Sequence, residues 1–219
     1  MKGCIFDLDG VVVETTRYHC QAWSAVASQL GFDLSEKRCL ELRSLSRMAC
    51  LEKILEWGGL YMTEAEKLHW CDVKNNWYVD LIAGMLPVEV LPGVLDFLQQ
   101  LRQEDVKTAL TSSSRNASKV LENTRLNIFF DVVSDGNTTR KSKPDPECFL
   151  NAAAKLNLNP TECWVFEDSN MGIAAALQGG FTVIGVGGKE DLSKAHLVIP
   201  GFENLILADV YAGLRMLTV

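Results

Sequence analysis

No stretch of this sequence approaches 18 apolar residues, and its first apolar segment meets Asp7 before it reaches seven. Neither a membrane-spanning helix nor a secretory leader is therefore expected. Basic residues are in deficit: 21 Lys and Arg against 28 Asp and Glu leave a net charge of −7 and a pI near 5.0. That is the wrong sign for binding nucleic acid through phosphates, so no nucleic acid and no anionic membrane is expected as a main partner. Cys-x-x-Cys pairs are also missing. The seven cysteines, at 4, 20, 39, 50, 71, 148 and 163, are odd in number and suggest neither a zinc site nor a disulfide framework. Reduced, mostly buried thiols in a cytoplasmic protein are the expectation. Repeats and low-complexity segments are lacking too. What is present, 47% hydrophobic and 22% charged residues, is ordinary globular usage able to bury a core. The length of 219 residues fits one large domain or two small ones.

Short apolar runs at 4–6, 106–110, 132–133, 164–166, 182–186 and 197–199 read as buried parallel strands. Segments with helical spacing lie between the later ones, at 146–156 and at 171–178, the latter stopped by Gly179-Gly180. Strand and helix in alternation predict a Rossmann-like, doubly wound α/β core. Between the first strand and the second, however, the pattern is almost wholly helical. Residues 15–30, 39–56 and 64–83 place apolar side chains three and four apart. The expected organisation is a core of 1–13 plus 88–219 interrupted by an all-helical insert at 14–87, with prolines at 87 and 92 marking the return. Four of the five tryptophans, Trp23, Trp57, Trp70 and Trp77, fall in the insert and are read as its core.

In an open parallel sheet, ligands bind outside the carboxyl ends of the strands. Those ends deliver Asp7-Leu8-Asp9-Gly10, then Ser112-Ser113-Ser114-Arg115-Asn116, then Glu167-Asp168, while a loop before a helix carries Lys143-Pro144. Asp7 and Asp9 stand two apart, so an extended backbone would send both carboxylates from one face. Two such carboxylates repel unless a proton or a cation lies between them. Glu167 and Asp168 add oxygen ligands for a hard ion, which points to Mg²⁺. Four acidic groups plus a divalent cation suit a phosphate dianion, whose remaining charge Lys143 and the Ser112 hydroxyl would meet. Taken singly, Asp-Gly is a turn signal and a serine run before a helix is an N-cap signal. Four polar clusters at the same ends of the right strands, in this order, are what point to a site.

Ile5-Phe6-Asp7-Leu8-Asp9-Gly10-Val11 resembles the first motif of the haloacid dehalogenase superfamily, Ser112 its second, Lys143-Pro144 its third and Glu167-Asp168 its fourth. The helical insert resembles that superfamily's cap domain. The resemblance implies that Asp7 is a nucleophile forming an aspartyl phosphate and that Asp9 is the general acid and base for the leaving oxygen. It implies Mg²⁺ held by Asp7, the backbone carbonyl of Asp9, Glu167 and Asp168, with Ser112 and Lys143 on the transferring phosphoryl group. The presence of Asp9 disfavours dehalogenation, because carbon–halogen cleavage needs no proton donor.

Within the superfamily, the chain resembles the β-phosphoglucomutase family. Glu14-Thr15, Tyr18-His19 and Trp23, Ser46-Arg47, Lys74-Asn75 with Tyr78, and Ser114-Arg115-Asn116 carry that resemblance. It implies a small sugar phosphate as substrate, and a monomer is the default expectation for the chain. Arg47 would hold a second phosphate, and Ser114, Arg115 and Asn116 would contact the sugar phosphate from the core. His19 would couple binding to closure, while Thr15, Trp23, Ser44, Leu45 and Lys74 line the substrate. Three positions depart from the family pattern. The loop Gly-Val-Ser-Arg reads Ser44-Leu45-Ser46-Arg47, Cys50 replaces a serine, and Arg115 replaces a lysine. The implied reaction is interconversion of β-glucose 1-phosphate and glucose 6-phosphate. A sugar-phosphate phosphatase on the same core and cap is the alternative, and a non-catalytic binding protein, expected to lose Asp7 or Asp9, ranks last.

Overall fold

The computed structural model describes residues 1–43, 45–188, 190 and 192–216. The chain forms two compact units, one of Thr15–Met85 and the other of Met1–Glu14 with Leu86–Val219.

The smaller unit is helical: α1 (Thr16–Gln29), α2 (Glu36–Leu40), α3 (Arg47–Gly58) and α4 (Glu64–Ile82). Its core joins Trp23, Val26 and Ala27 of α1 to Leu51, Ile54 and Leu55 of α3 and Cys71 of α4, with Trp57, Trp70 and Trp77 packed at the margin. The four buried positions of α4, Cys71, Lys74, Tyr78 and Ile82, recur at three- and four-residue intervals and so form one inward stripe. A lysine therefore sits where the pattern calls for an apolar residue. Thr63 and Glu66 close a capping box at the start of α4, a device worth about 1 kcal/mol.

Two expectations need correction here. The helical pattern over 39–56 is two helices, because the Ser46 hydroxyl accepts from Ala49 N–H and starts α3 afresh after a turn at Glu41, Leu42 and Arg43. The cysteines are not all thiols. Cys20 of α1 and Cys39 of α2 are joined by a disulfide, their Cα atoms 5.6 Å apart, well within the span such a bond bridges. They stand 19 positions apart, so only the folding of α2 back onto α1 reveals the pair.

The larger unit is built on six parallel strands: β1 (Gly3–Asp7), β2 (Lys107–Thr111), β3 (Val132–Ser134), β4 (Cys163–Glu167), β5 (Thr182–Val186) and β6 (Leu197–Ile199). Their order is β3-β2-β1-β4-β5-β6. With α5 (Val94–Gln103), α6 (Ala117–Thr124), α7 (Glu147–Lys155), α8 (Asn170–Gln178) and α9 (Leu207–Met216), this is the doubly wound α/β fold the alternation predicts. β1 and β4 are buried along their whole length, which is why they read as continuous apolar runs.

Alternation along β1 and β4 divides the sheet's faces. Ile5 and Val165 pack with Phe149 of α7 and with Ile173, Ala175 and Ala176 of α8. Phe6 stacks on Phe166 at 4.6 Å between ring centroids, and Phe97 and Phe202 close around them. Aromatic pairs of this kind add about 1 kcal/mol beyond burial. Their consequence is positional: the residues directly after Phe6 and Phe166 are Asp7 and Glu167.

Candidate active site

Phe6 lies opposite Phe166, and Asp7 lies opposite Thr111, so Asp7, Glu167 and the start of the Ser112 loop reach the sheet's carboxyl edge at one level. The topology has its switch here, since β1 is flanked by β2 and β4, whose connections run to opposite edges of the sheet.

Side-chain oxygens of Asp7, Glu167 and Asp168 lie within 4.8 Å of one another. Lys143 enters from the loop before α7. Its ammonium donates to Asp7 Oδ1 at 2.5 Å and to Glu167 Oε2 at 2.7 Å, and it rests 5.0 Å from the centre of the Phe149 ring. Asp7, Lys143 and Glu167 are all buried. Burial pushes the Asp7 carboxyl up, the Lys143 ammonium draws it down, and the carboxylates of Glu167, Asp168 and Asp9 push it up again, leaving it well above the ordinary range. Burial works against the charge on Lys143, but Asp7 and Glu167 outweigh it and hold the ammonium well above its usual value. Two of the three grouped carboxylates share one cation. The set is all oxygen, carries an excess of negative charge and is compact, so these residues fit a hard divalent ion such as Mg²⁺.

Glu167 is held by Ser169, which the sequence places at the same strand end without a role, and by Gly172, which it does not single out. Ser169 donates to its Oε1 from both N–H and hydroxyl, at 3.1 and 2.7 Å, and the same hydroxyl accepts from Gly172 N–H to cap α8. A Cβ on Gly172 would stand 2.0 Å from Glu167 Cδ, so only glycine lets α8 begin this close to the carboxylate. The loop bearing Lys143 is fixed by Glu147, whose two oxygens accept from Arg140 and Lys141 N–H at 3.1 and 2.9 Å. The only trace of Gly172 in the sequence is a small residue three positions after Ser169.

Asp9 behaves differently from Asp7, and the extended-backbone reading of the pair is corrected. The strand ends at Asp7, and Gly10 turns the chain with φ 85° and donates to Val13 O at 2.8 Å. The Asp9 carboxylate stands apart from the three grouped oxygens and accepts from the Ser112 hydroxyl at 3.4 Å. Ser112 in turn accepts from Ser114 N–H, and Ser114 from Asn116 N–H, so the serines order their own loop. They do not cap α6. Its N-cap is Asn116, which makes no side-chain capping bond. Arg115 is exposed, and its carbonyl accepts from the Asn137 amide at 3.0 Å.

The helical unit brings a second group together. Lys74 donates to His19 Nδ1 at 2.8 Å and lies over the rings of Trp23 and Tyr78, at 5.1 and 4.5 Å. His19 stacks on Tyr78 at 4.0 Å. Burial, Lys74 and Arg47 together hold the His19 ring well below its usual pKa, so it is neutral with its proton on Nε2. Arg47 donates to Asn75 Oδ1 at 2.7 Å. Asn75 and Tyr78 thus belong to the group that the sequence assigns to their neighbours. Thr15 is buried at the start of the unit, where its carbonyl accepts from Tyr18 and His19 N–H. Leu45 is half-buried against the core, and Ser44 lies outside the described residues. Cys50 is buried and donates to Leu42 O at 3.4 Å, with its thiol pushed up to about 12 chiefly by burial. None of the described helices is long and apolar enough to cross a membrane.

Known proteins share this arrangement of sequence and fold. The family profile of the haloacid dehalogenase-like hydrolases matches residues 1–180. The chain is 39% identical to a β-phosphoglucomutase of Bacillus subtilis over 209 residues, 94% of this chain and 92% of that protein. It is 29% identical to a phosphorylated carbohydrates phosphatase of Thermotoga maritima over 82% of each. A crystal structure of β-phosphoglucomutase from Clostridium difficile matches it with a TM-score of 0.95 at 36% identity, over 99% of this chain and 98% of that one. Through a profile that spans most of the chain and relatives that span nearly all of it, the protein belongs to the haloacid dehalogenase-like hydrolase family as a β-phosphoglucomutase-like enzyme.

Proposed function

We propose that this protein is a Mg²⁺-dependent phosphomutase that interconverts β-glucose 1-phosphate and glucose 6-phosphate. Residues 1–13 and 88–219 would be its catalytic core and 14–87 its cap, and it would work as a cytoplasmic monomer. The observation that carries the chemistry is the group at the sheet's carboxyl edge, where Asp7, Glu167 and Asp168 bring carboxylates together and the buried Lys143 ammonium bonds the first two. Asp7, Glu167, Asp168 and the backbone carbonyl of Asp9 would hold Mg²⁺, which when bound neutralises charge on the phosphoryl oxygens.

In the proposed cycle Asp7 begins as the phosphoaspartate. The free hydroxyl of the sugar phosphate attacks that phosphorus while Asp9 takes the hydroxyl proton, and the Asp7–phosphate bond breaks to leave a sugar bisphosphate. After the bisphosphate turns round, the Asp7 carboxylate attacks its other phosphorus. Asp9 returns the proton to the departing oxygen, giving the isomer and restoring the phosphoaspartate. Lys143 and Ser112 stabilise the charge on the moving group. Arg47 holds the phosphate that is not being transferred, for which a planar guanidinium is suited. Ser114, Arg115 and Asn116, together with Thr15, His19, Trp23, Ser44, Leu45 and Lys74, bind the sugar.

Identity of 39% to a β-phosphoglucomutase over nearly the whole chain supports mutase over phosphatase. The second reading, water attacking the phosphoaspartate, is favoured by the relation to a carbohydrate phosphatase. A coupled assay with β-glucose 1-phosphate, Mg²⁺ and a glucose bisphosphate primer separates them. Glucose 6-phosphate should form much faster than free phosphate, and equal rates would mean a phosphatase.

A further inference from the structure

We propose that Cys20 and Cys39 form a thiol–disulfide exchange site, addressed by low-molecular-weight disulfides and thiols, whose state sets the order of α2 and of the turn that leads to Arg47. The pair is chemically distinct from the other cysteines. Cys4, Cys50, Cys71, Cys148 and Cys163 are thiols outside any disulfide and all are buried, whereas Cys20 is only partly so. A reagent in solution therefore meets this pair first.

The bond matters because α2 has little else. It is five residues long, too short to be helical on its own, and Cys39 is its only buried side chain. Beyond it the chain turns through Glu41, Leu42 and Arg43, and Leu42 is pinned by the Cys50 thiol donating to its carbonyl at 3.4 Å. Sulfur contacts thus hold the approach to Arg47, a covalent one before the turn and hydrogen bonds from the Cys50 thiol to Leu42 O within it and to Leu45 O beyond it, the latter at 3.9 Å. Cutting the covalent one leaves a one-turn helix held by Ser35 capping, by the Arg38 guanidinium 5.3 Å over the Trp57 ring and by whatever the freed Cys39 side chain still buries.

The exchange balances without any further reagent. The Cys20 thiolate attacks one sulfur of a small disulfide, forming a mixed disulfide and expelling one small thiol. The Cys39 thiolate then attacks the Cys20 sulfur and expels the second. Two protein thiols lose two electrons and two protons, and the small disulfide gains both to become two thiols. Excess small thiol reverses both steps.

The test compares the protein equilibrated with an oxidised or a reduced low-molecular-weight thiol. In denaturant, five thiols should titrate in the oxidised form and seven in the reduced, with Cys20–Cys39 recovered as the linked peptide. Trypsin cleavage after Lys37 and Arg38 should be about tenfold faster in the reduced form, read after full reduction of the fragments, as local opening of α2 becomes easier. The melting temperature should fall by about 5 °C. Because Cys39 is buried and its replacement could disturb folding, Cys20→Ser is the primary variant, and it should match the reduced protein under both conditions. Seven titrating thiols after oxidation, or equal cleavage in the two states, would overturn the proposal. One extension rests on the phosphomutase reading: reduction should raise the KM for the sugar phosphate severalfold with kcat nearly unchanged. Cleavage that responds to redox in a protein without mutase activity would sink that reading and leave the exchange site standing.

Discussion

Lys143 faces two buried carboxylates, and its position fixes what its removal must do. In Lys143→Met, Asp7 and Glu167 would confront each other without a countercharge, and breaking such a buried pair costs about 3–5 kcal/mol. Urea denaturation should register that loss at neutral pH, together with loss of turnover. An unchanged midpoint would mean that the carboxylates already carry a proton. His19 makes the opposite kind of prediction, because its neutral form is the one the fold selects. An unfolded histidine titrates near 6.5, whereas this one titrates well below. As the pH drops under about 6.5 the unfolded chain therefore takes up a proton that the folded chain refuses. The stabilisation by neutral His19 is complete above that pH and is lost progressively below it, toward the folded-state value. Thermal melts from pH 8 down to 5 should show this slope in the wild type and a flatter one in His19→Gln. Equal slopes would place the histidine's proton elsewhere.

At the scale of elements, what could be read in advance depended on whether the signal was local. β5 and β6 read correctly to the residue because buried parallel strands are continuous apolar runs bounded by glycine or polar turns. The 39–56 segment did not, because a single hydroxyl, that of Ser46, decides between one helix and two, and apolar spacing runs on through the break. Asp7, Glu167 and Asp168 could be proposed because strand ends collect ligands, and Lys143 because a loop before a helix carries it, but their supports could not. Ser169 and Gly172 bear no distinctive chemistry, and their role exists only because α8 starts against Glu167. Gly172→Ala tests that placement. The added methyl must displace either the helix start or the carboxylate, and a shift near 1 Å at a reacting group costs about 100-fold in rate. Turnover should fall by that order, while Gly201→Ala, where a Cβ meets nothing within 4 Å, should leave it unchanged. Equal behaviour of the two variants would show that Glu167 tolerates the displacement.

On the scale of the whole molecule, the surplus of seven negative charges follows chain length, since residues 14–87 hold 8 basic and 10 acidic groups and the rest 13 basic and 18 acidic. What is uneven is placement, because Asp7, Glu167 and Asp168 bring three carboxylates together at one edge of one sheet. The Cys20–Cys39 bond shows the converse: no count or spacing could pair two cysteines whose meeting depends on how a five-residue helix folds back. Concentrated charge makes stability depend on the counter-ion. A divalent ion that binds the folded site and not the unfolded chain stabilises by mass action, about 2.7 kcal/mol at a hundredfold excess over its Kd. Scanning calorimetry with Mg²⁺ against chelator should accordingly raise the unfolding temperature of the unit that contains β1 and β4. Asp168→Asn should shrink the shift, and Glu167→Gln should nearly abolish it, since Glu167 also anchors Lys143. A Mg²⁺ shift that survives intact in both variants would place the ion away from the strand ends and dissolve the link between the acidic edge and the chemistry.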